Sequence, residues 1–181
     1  LKVKKEINKS NRVIVVVSAM AGVTNNLVDL VKTTSEIPFY SEYDVVLSTG
    51  EQVTSALLAT ALNNLNIKAR SWLGWQVPII SDNSYGKAVI EEIKTDNILE
   101  YLEKNQVAII SGFQGLSKEN RITTLGRGGS DTSAVAIAAA FSAERCDIYT
   151  DVDGVYTTDP RIVKSAKKLD LITYEEMLEL A

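Results

Sequence analysis

Histidine is absent from the 181 residues of this chain, and Cys146 is its single cysteine. These two shortages together exclude disulfides, Cys/His zinc sites, Ser-His-Asp triads and Cys-His nucleophile pairs. Chemistry here has to run on carboxylates, lysine, arginine, hydroxyls and backbone dipoles. That favours reactions whose main need is positioning and charge stabilisation, such as phosphoryl transfer. Cys146 opens the β-branched and aromatic run "CDIYT" (146–150), where a packed thiol inside a buried strand is expected.

Clusters of one charge are missing as well. With 19 basic against 23 acidic residues the net charge is −4, and no Lys/Arg-rich block could track a phosphate backbone, so nucleic acid is not an expected partner. No apolar run approaches the length of a membrane span, and "LKVKKEINKS" lacks the apolar centre of a signal peptide. A cytoplasmic chain without a membrane partner is therefore expected. Neither a Gly-x-Gly-x-x-Gly fingerprint opening a helix nor a Gly-x-x-x-x-Gly-Lys-Ser/Thr loop occurs, which argues against a Rossmann dinucleotide site and a P-loop. Internal repeats, low-complexity segments and linkers are absent, and the length suits one domain over 1–181.

What is present alternates between short β-branched runs and helical patterns. "RVIVVV" (12–17) precedes "TNNLVDLVKTT" (24–34) and "EQVTSALLATALNNL" (51–65), and "QVAII" (106–110) follows the helix-like "TDNILEYLEKN" (95–105). Apolar strands without in/out alternation indicate a parallel sheet covered on both faces, so the expected fold class is α/β: a three-layer α/β/α sandwich with a mainly parallel sheet. "GFQGLSKENRITTLG" (112–126), with its polar turn and β-branched "RITT", predicts a hairpin. "RSWLGWQVPII" (70–80) reads as strand and turn, with Trp72 and Trp75 contributing to the core rather than forming a stacking platform. Ligands of open α/β sheets bind beyond the carboxyl ends of the strands, here the loops after residues 17, 110 and 150.

The stretch "TTLGRGGSD" (123–131) sets Arg127 among three glycines ahead of an alanine-rich helix expected over 131–143, with Ser130 or Asp131 as its N-cap. Glycines let a ligand approach the backbone. The first N–H groups of a helix favour an anion, and a guanidinium can hold a carboxylate or phosphate through two parallel bonds. A surface turn with a solvated arginine is the competing reading of these residues alone.

Four motifs stand in order along the chain: "SAMAGVTN" (18–25), "STGE" (48–51), "TTLGRGGSD" (123–131) and "TDVDGVYTTDPR" (150–161). Together they resemble the aspartokinases of the amino acid kinase family, over almost the whole chain. The last motif is shared with the family's kinases of glutamate, acetylglutamate and UMP, and the middle two point to aspartate. The resemblance implies an amino acid kinase or carbamate kinase-like fold. It also implies transfer of the ATP γ-phosphate, with Mg²⁺, to the β-carboxylate of L-aspartate. The product would be 4-phospho-L-aspartate, in the first step of lysine, threonine and methionine (diaminopimelate) biosynthesis. It assigns Arg127 to the carboxylate of bound aspartate, Glu51 to the α-ammonium, and Ser18, Thr24, Phe113 and Ser130 to the rest of that substrate. Asp131 is implied as an organising acid beside the reaction centre, and Thr150, Asp151, Tyr156, Asp159 and Arg161 as the ATP side. A homo-oligomer and no protein-ligated metal are further implications.

Without the resemblance these residues have simpler readings. Ser48-Thr49-Gly50-Glu51 fits a capping box, as does Thr173-Tyr174-Glu175-Glu176, where nothing beyond a cap is expected. Asp151, Asp153 and Asp159 suit ordinary turns. The resemblance also predicts a chain incomplete at both ends: no Lys-Phe-Gly-Gly strand precedes Arg12, and the C-terminal regulatory ACT domains do not follow "TYEEMLELA". Two alternatives stay open: another amino acid kinase, with glutamate or UMP as acceptor, and a non-catalytic ATP- or aspartate-binding fragment.

Overall fold

The β-branched run after Arg12 forms a strand, β1 (Ile14–Val17), because a fully buried partner lies beside it: β5 (Val107–Ser111). In the computed structural model, which describes residues 2–36, 38–126, 128–150, 154, 156–158 and 162–173, β5 is the central strand of an all-parallel sheet. Its order is β1-β5-β2, with β2 at Ala69–Trp72. A second, mixed sheet has the order β4-β3-β6-β7, formed by β3 (Ile79–Ser81), β4 (Ile90–Ile93), β6 (Gln114–Ser117) and β7 (Ile122–Thr124). Here β3 pairs parallel with β6 and antiparallel with β4, and β6–β7 is the hairpin expected from "RITT". Asn120 takes the left-handed conformation at its turn (φ 58°), which asparagine tolerates well.

Among the described residues there are five helices, α1 (Lys2–Ile7), α2 (Val23–Thr34), α3 (Tyr40–Asn64), α4 (Asp96–Glu103) and α5 (Gly129–Ala140), of which α2 packs on α3. Side chains of β5 alternate between two cores. Val107 and Ile109 pack with Val17 and with Ala59 and Leu62 of α3, while Ala108 and Ile110 pack with Trp72, Ile79, Ile98 of α4 and Ile137 of α5. A parallel sheet buried on both faces by helices is the expected α/β/α sandwich. By chain contacts residues 1–146 form one compact unit and 147–181 another. Within the second, Tyr156 and Lys168 form an isolated antiparallel bridge.

Several local expectations are corrected. The helix expected at 51–65 begins eleven residues earlier, at Tyr40. Ser48 and Thr49 tolerate mid-helix positions because their hydroxyls donate to the carbonyls of Val45 (2.8 Å) and Val46 (2.7 Å) on the preceding turn. The STGE motif is therefore helix interior, and its capping-box reading falls. At 25 residues α3 is long and apolar enough to cross a membrane, but it packs on the sheet along a stripe that includes Asp44, Ser48, Glu51 and Ser55. The N-cap of α5 is Gly128, so Ser130 and Asp131 sit in the first turn. Residues 146–150 form no strand, and Cys146 is an exposed free thiol; a β-branched run becomes a strand only where its tertiary setting extends it, which no local pattern decides. Trp72 joins the core, whereas Trp75 is 46% exposed.

Candidate active site

The parallel pairing of β1 and β5 puts their carboxyl ends side by side, and the chain leaves each into a loop. Gly112, just past β5, donates its N–H to the carbonyl of Val17 at 3.0 Å. A Cβ on Gly112 would stand 3.0 Å from that carbonyl oxygen and 3.1 Å from the Cα of Ser130, so only glycine lets the ends of both strands and the start of α5 converge here. Phe113 follows in the left-handed region (φ 66°), an unfavourable conformation for a bulky residue. It is held there from both sides: its N–H donates to Ser133 Oγ (3.0 Å), and its carbonyl accepts the N–H of Leu125 (2.9 Å).

These segments enclose a cleft of about 270 Å³ lined by Ser18, Thr24, Glu51, Phe113, Gly126, Gly128, Gly129, Ser130 and Asp131. That is the scale of a small metabolite. Gly126 and Gly128 both have positive φ (78° and 70°), so the loop turns sharply into α5 and brings that helix's N-terminal end to the cleft. Unpartnered amides and the helix dipole make such an end favourable for an anion.

Glu51 comes from the opposite wall. Gly50 beside it allows α3 to approach the loop after β1, since a Cβ there would lie 2.9 Å from that of Ala19. Glu51 Oε1 accepts the N–H of Ala19 at 2.8 Å, while Oε2 is buried without a partner. The residue is 3% exposed. Burial pushes its carboxyl above the usual carboxylate range, against the lowering effect of the Ala19 bond. A desolvated carboxylate with one oxygen unsatisfied calls for a cationic donor inside the cleft.

Six of the residues singled out in the sequence, Ser18, Thr24, Glu51, Phe113, Ser130 and Asp131, therefore meet around one cleft. Asp131 makes no ion pair among the described residues. Arg127, Asp151, Asp159 and Arg161 lie outside the described residues, as do Asp153 and most of the cap expected from Thr173, while Thr150 and Tyr156 belong to the unit 147–181. No group of three or more acidic or cysteine side chains suited to a metal is gathered among the described residues. What the sequence reading missed is the buried polar stripe of α3: Asp44, Ser48 and Ser55 share the face of Glu51. Its signal was the spacing i, i+4, i+7, i+11 of polar residues within an apolar helix.

The profile of the amino acid kinase family matches residues 2–181. The aspartokinase of Rickettsia conorii (strain ATCC VR-613 / Malish 7) is 58% identical over 182 residues, covering 99% of this chain and 45% of that protein. The aspartokinase of Bacillus sp. (strain MGA3) is 54% identical over 180 residues, covering 99% and 44%. The chain thus spans less than half the length of these relatives. Among solved structures, an aspartate kinase from Synechocystis superposes with a TM-score of 0.81 at 47% identity, over 99% of this chain and 29% of that one. E. coli aspartokinase III in complex with aspartate and ADP gives 0.77 at 27%, over 91% and 48%. An isopentenyl phosphate kinase at 20% identity and a TM-score of 0.68, over 97% and 71%, shares the fold.

Proposed function

The chain belongs to the amino acid kinase family, and from this we propose that it is an aspartokinase catalytic domain, transferring the γ-phosphate of ATP to the β-carboxylate of L-aspartate. Glu51 carries the proposal: its unpartnered, buried Oε2 in a metabolite-sized cleft suits the α-ammonium of an amino acid. A relative of the same fold that holds aspartate and ADP together supports that pair of substrates. On this reading Arg127 takes the substrate's carboxylate, Ser130 helps hold the substrate, Ser18 and Thr24 line the aspartate side, and Phe113 packs against it. Asp131 orders cationic groups beside the reaction centre. Thr150, Asp151, Tyr156, Asp159 and Arg161 hold the nucleotide.

The nucleophile is a carboxylate already ionised at neutral pH, with an ordinary pKa near ~4, so no general base is needed. This agrees with a chain that has no histidine. What the protein supplies is alignment of carboxylate and γ-phosphate, and stabilisation of charge by cationic side chains and the amides at the α5 N-terminus. Mg²⁺ commonly binds through nucleotide phosphates with one or two carboxylates; held in that way with ATP, it would neutralise charge on the phosphates. The product is an acyl phosphate, 4-phospho-L-aspartate, at the head of lysine, threonine and methionine biosynthesis.

Hydroxylamine trapping tests the proposal. The protein as its gene encodes it, given ATP and Mg²⁺, should form the hydroxamate from aspartate and none from glutamate. Product from glutamate instead would make it a different amino acid kinase, and no product from either acceptor would leave binding as its only function.

A further inference from the structure

Four buried polar residues on one face of α3 each hold a different segment around the cleft. Glu51 takes the Ala19 amide after β1. The Ser55 and Ser111 hydroxyls are 3.0 Å apart at the end of β5. The Ser48 carbonyl accepts from Gln114 Nε2 at 3.1 Å. Asp44, fully buried, makes the densest set: Oδ2 accepts the N–H of Thr124 (2.8 Å) and of Gly86 (2.9 Å), and Oδ1 accepts the Thr124 hydroxyl (2.8 Å). No cation lies within ion-pair distance of it among the described residues.

These bonds fall at the root of the glycine loop. Thr124 is two residues before Gly126, and a Cβ on Gly126 would stand 3.2 Å from the Gly86 carbonyl oxygen. The Thr124 carbonyl accepts the N–H of Ala88 (2.8 Å). Asp44 therefore joins the two strands of chain that pass each other where the loop begins. On α3 it lies seven residues, or roughly 10 Å of helix, from Glu51. One rigid helix thus carries both the carboxylate that faces the substrate ammonium and the anchor of the loop that receives the substrate's other end.

We propose that Asp44 is a positioning residue for acceptor recognition, setting the glycine loop at a fixed span from Glu51 through Thr124 and Gly86. The proposal rests on the amino-acid acceptor reading given above. Hydrogen bonding, rather than charge, is what Asp44 supplies. An asparagine can keep the arrangement, its oxygen accepting both amides and its NH₂ donating to the Thr124 hydroxyl, whereas alanine takes this acceptor from the buried Thr124 amide and the half-buried Gly86 amide.

The test compares Asp44→Ala, Asp44→Asn and Thr124→Val with the parent protein. Asp44→Ala should raise the KM for aspartate about tenfold or more, with the KM for ATP within about twofold, and Asp44→Asn should restore the parent value; tenfold corresponds to ~1.4 kcal/mol. Equal changes in both KM values, or an asparagine variant as impaired as alanine, would overturn the proposal. Thr124→Val, which deletes only the hydroxyl bond, covers the case in which Asp44→Ala fails to fold. It should raise the aspartate KM by a smaller factor, and an unchanged value would count against the proposal. Amide hydrogen exchange without substrates separates this from the functional reading. Exchange over 124–130 should quicken in Asp44→Ala but not in Asp44→Asn, with β5 unaffected. A parent protein that phosphorylates nothing, yet shows this pattern, would remove the acceptor reading and keep the anchoring. Unchanged exchange over 124–130 would remove the anchoring itself.

Discussion

At the scale of single residues, Glu51 is bound on one oxygen and orphaned on the other, and its burial sets its pH behaviour. Because the folded chain raises the carboxyl pKa above its unfolded value, the folded state holds the proton more tightly. Stability falls as pH rises through the interval between those two values, and the cost is complete above it. Glu51→Gln carries no charge, so at pH 7 it should melt higher than the parent, ~1 kcal/mol corresponding to ~2–4 °C in a chain of this size. The advantage should close as pH drops below the ordinary carboxylate range. The same variant should bind aspartate far more weakly, because a neutral amide meets an ammonium poorly. Thermal melts across pH, paired with aspartate titrations, check both; a glutamine variant less stable at pH 7 would show that Oε2 has a partner in solution. Glu51 was singled out in the sequence only through a motif. Its burial and its one partner were invisible there, because they depend on segments distant in sequence, such as Ala19, which is 32 positions away.

At the scale of elements, α3 shows why a helix can hide from propensity. Ser48, Thr49 and Gly50 are poor helix-interior residues and resemble a cap. Back-bonding of the two hydroxyls and the need for close approach at Gly50 keep them mid-helix. Gly50 offers a test in which two effects oppose. Alanine would gain up to ~1 kcal/mol of helix propensity, but its Cβ would lie 2.9 Å from that of Ala19, and overpacking of this kind costs ~1–3 kcal/mol. The clash should win: Gly50→Ala should lose up to ~2 kcal/mol in urea denaturation, and a stabilised variant would mean that the contact is loose. The hairpin β6–β7 and the strands β1 and β5 were legible because their patterns are local. The "CDIYT" run looked no different from them, yet residues 146–150 form no strand.

At the scale of the whole molecule, β5 divides the interior into two cores, with consecutive side chains pointing to opposite sides. Ile109 and Ile110 are neighbours in sequence, yet each packs in a different cluster. Ile109→Val and Ile110→Val should each cost about 0.5–1.5 kcal/mol. Although the residues are adjacent, the double variant should equal the sum within ~0.5 kcal/mol, as for independent sites. Larger coupling in a denaturation cycle would show that the sheet transmits strain between its faces.

Composition and motif order determined the α/β architecture and most of the residues that line the cleft, because β-branched runs and glycine spacing are properties of the chain itself. Tertiary structure alone decided how the carboxylates of α3 are buried and held. Asp44 and Glu51 are both ordinary acids on paper. Their roles follow from partners brought in from β7, the loop at Gly86 and the end of β1, through contacts between segments distant in sequence, which no local pattern encodes.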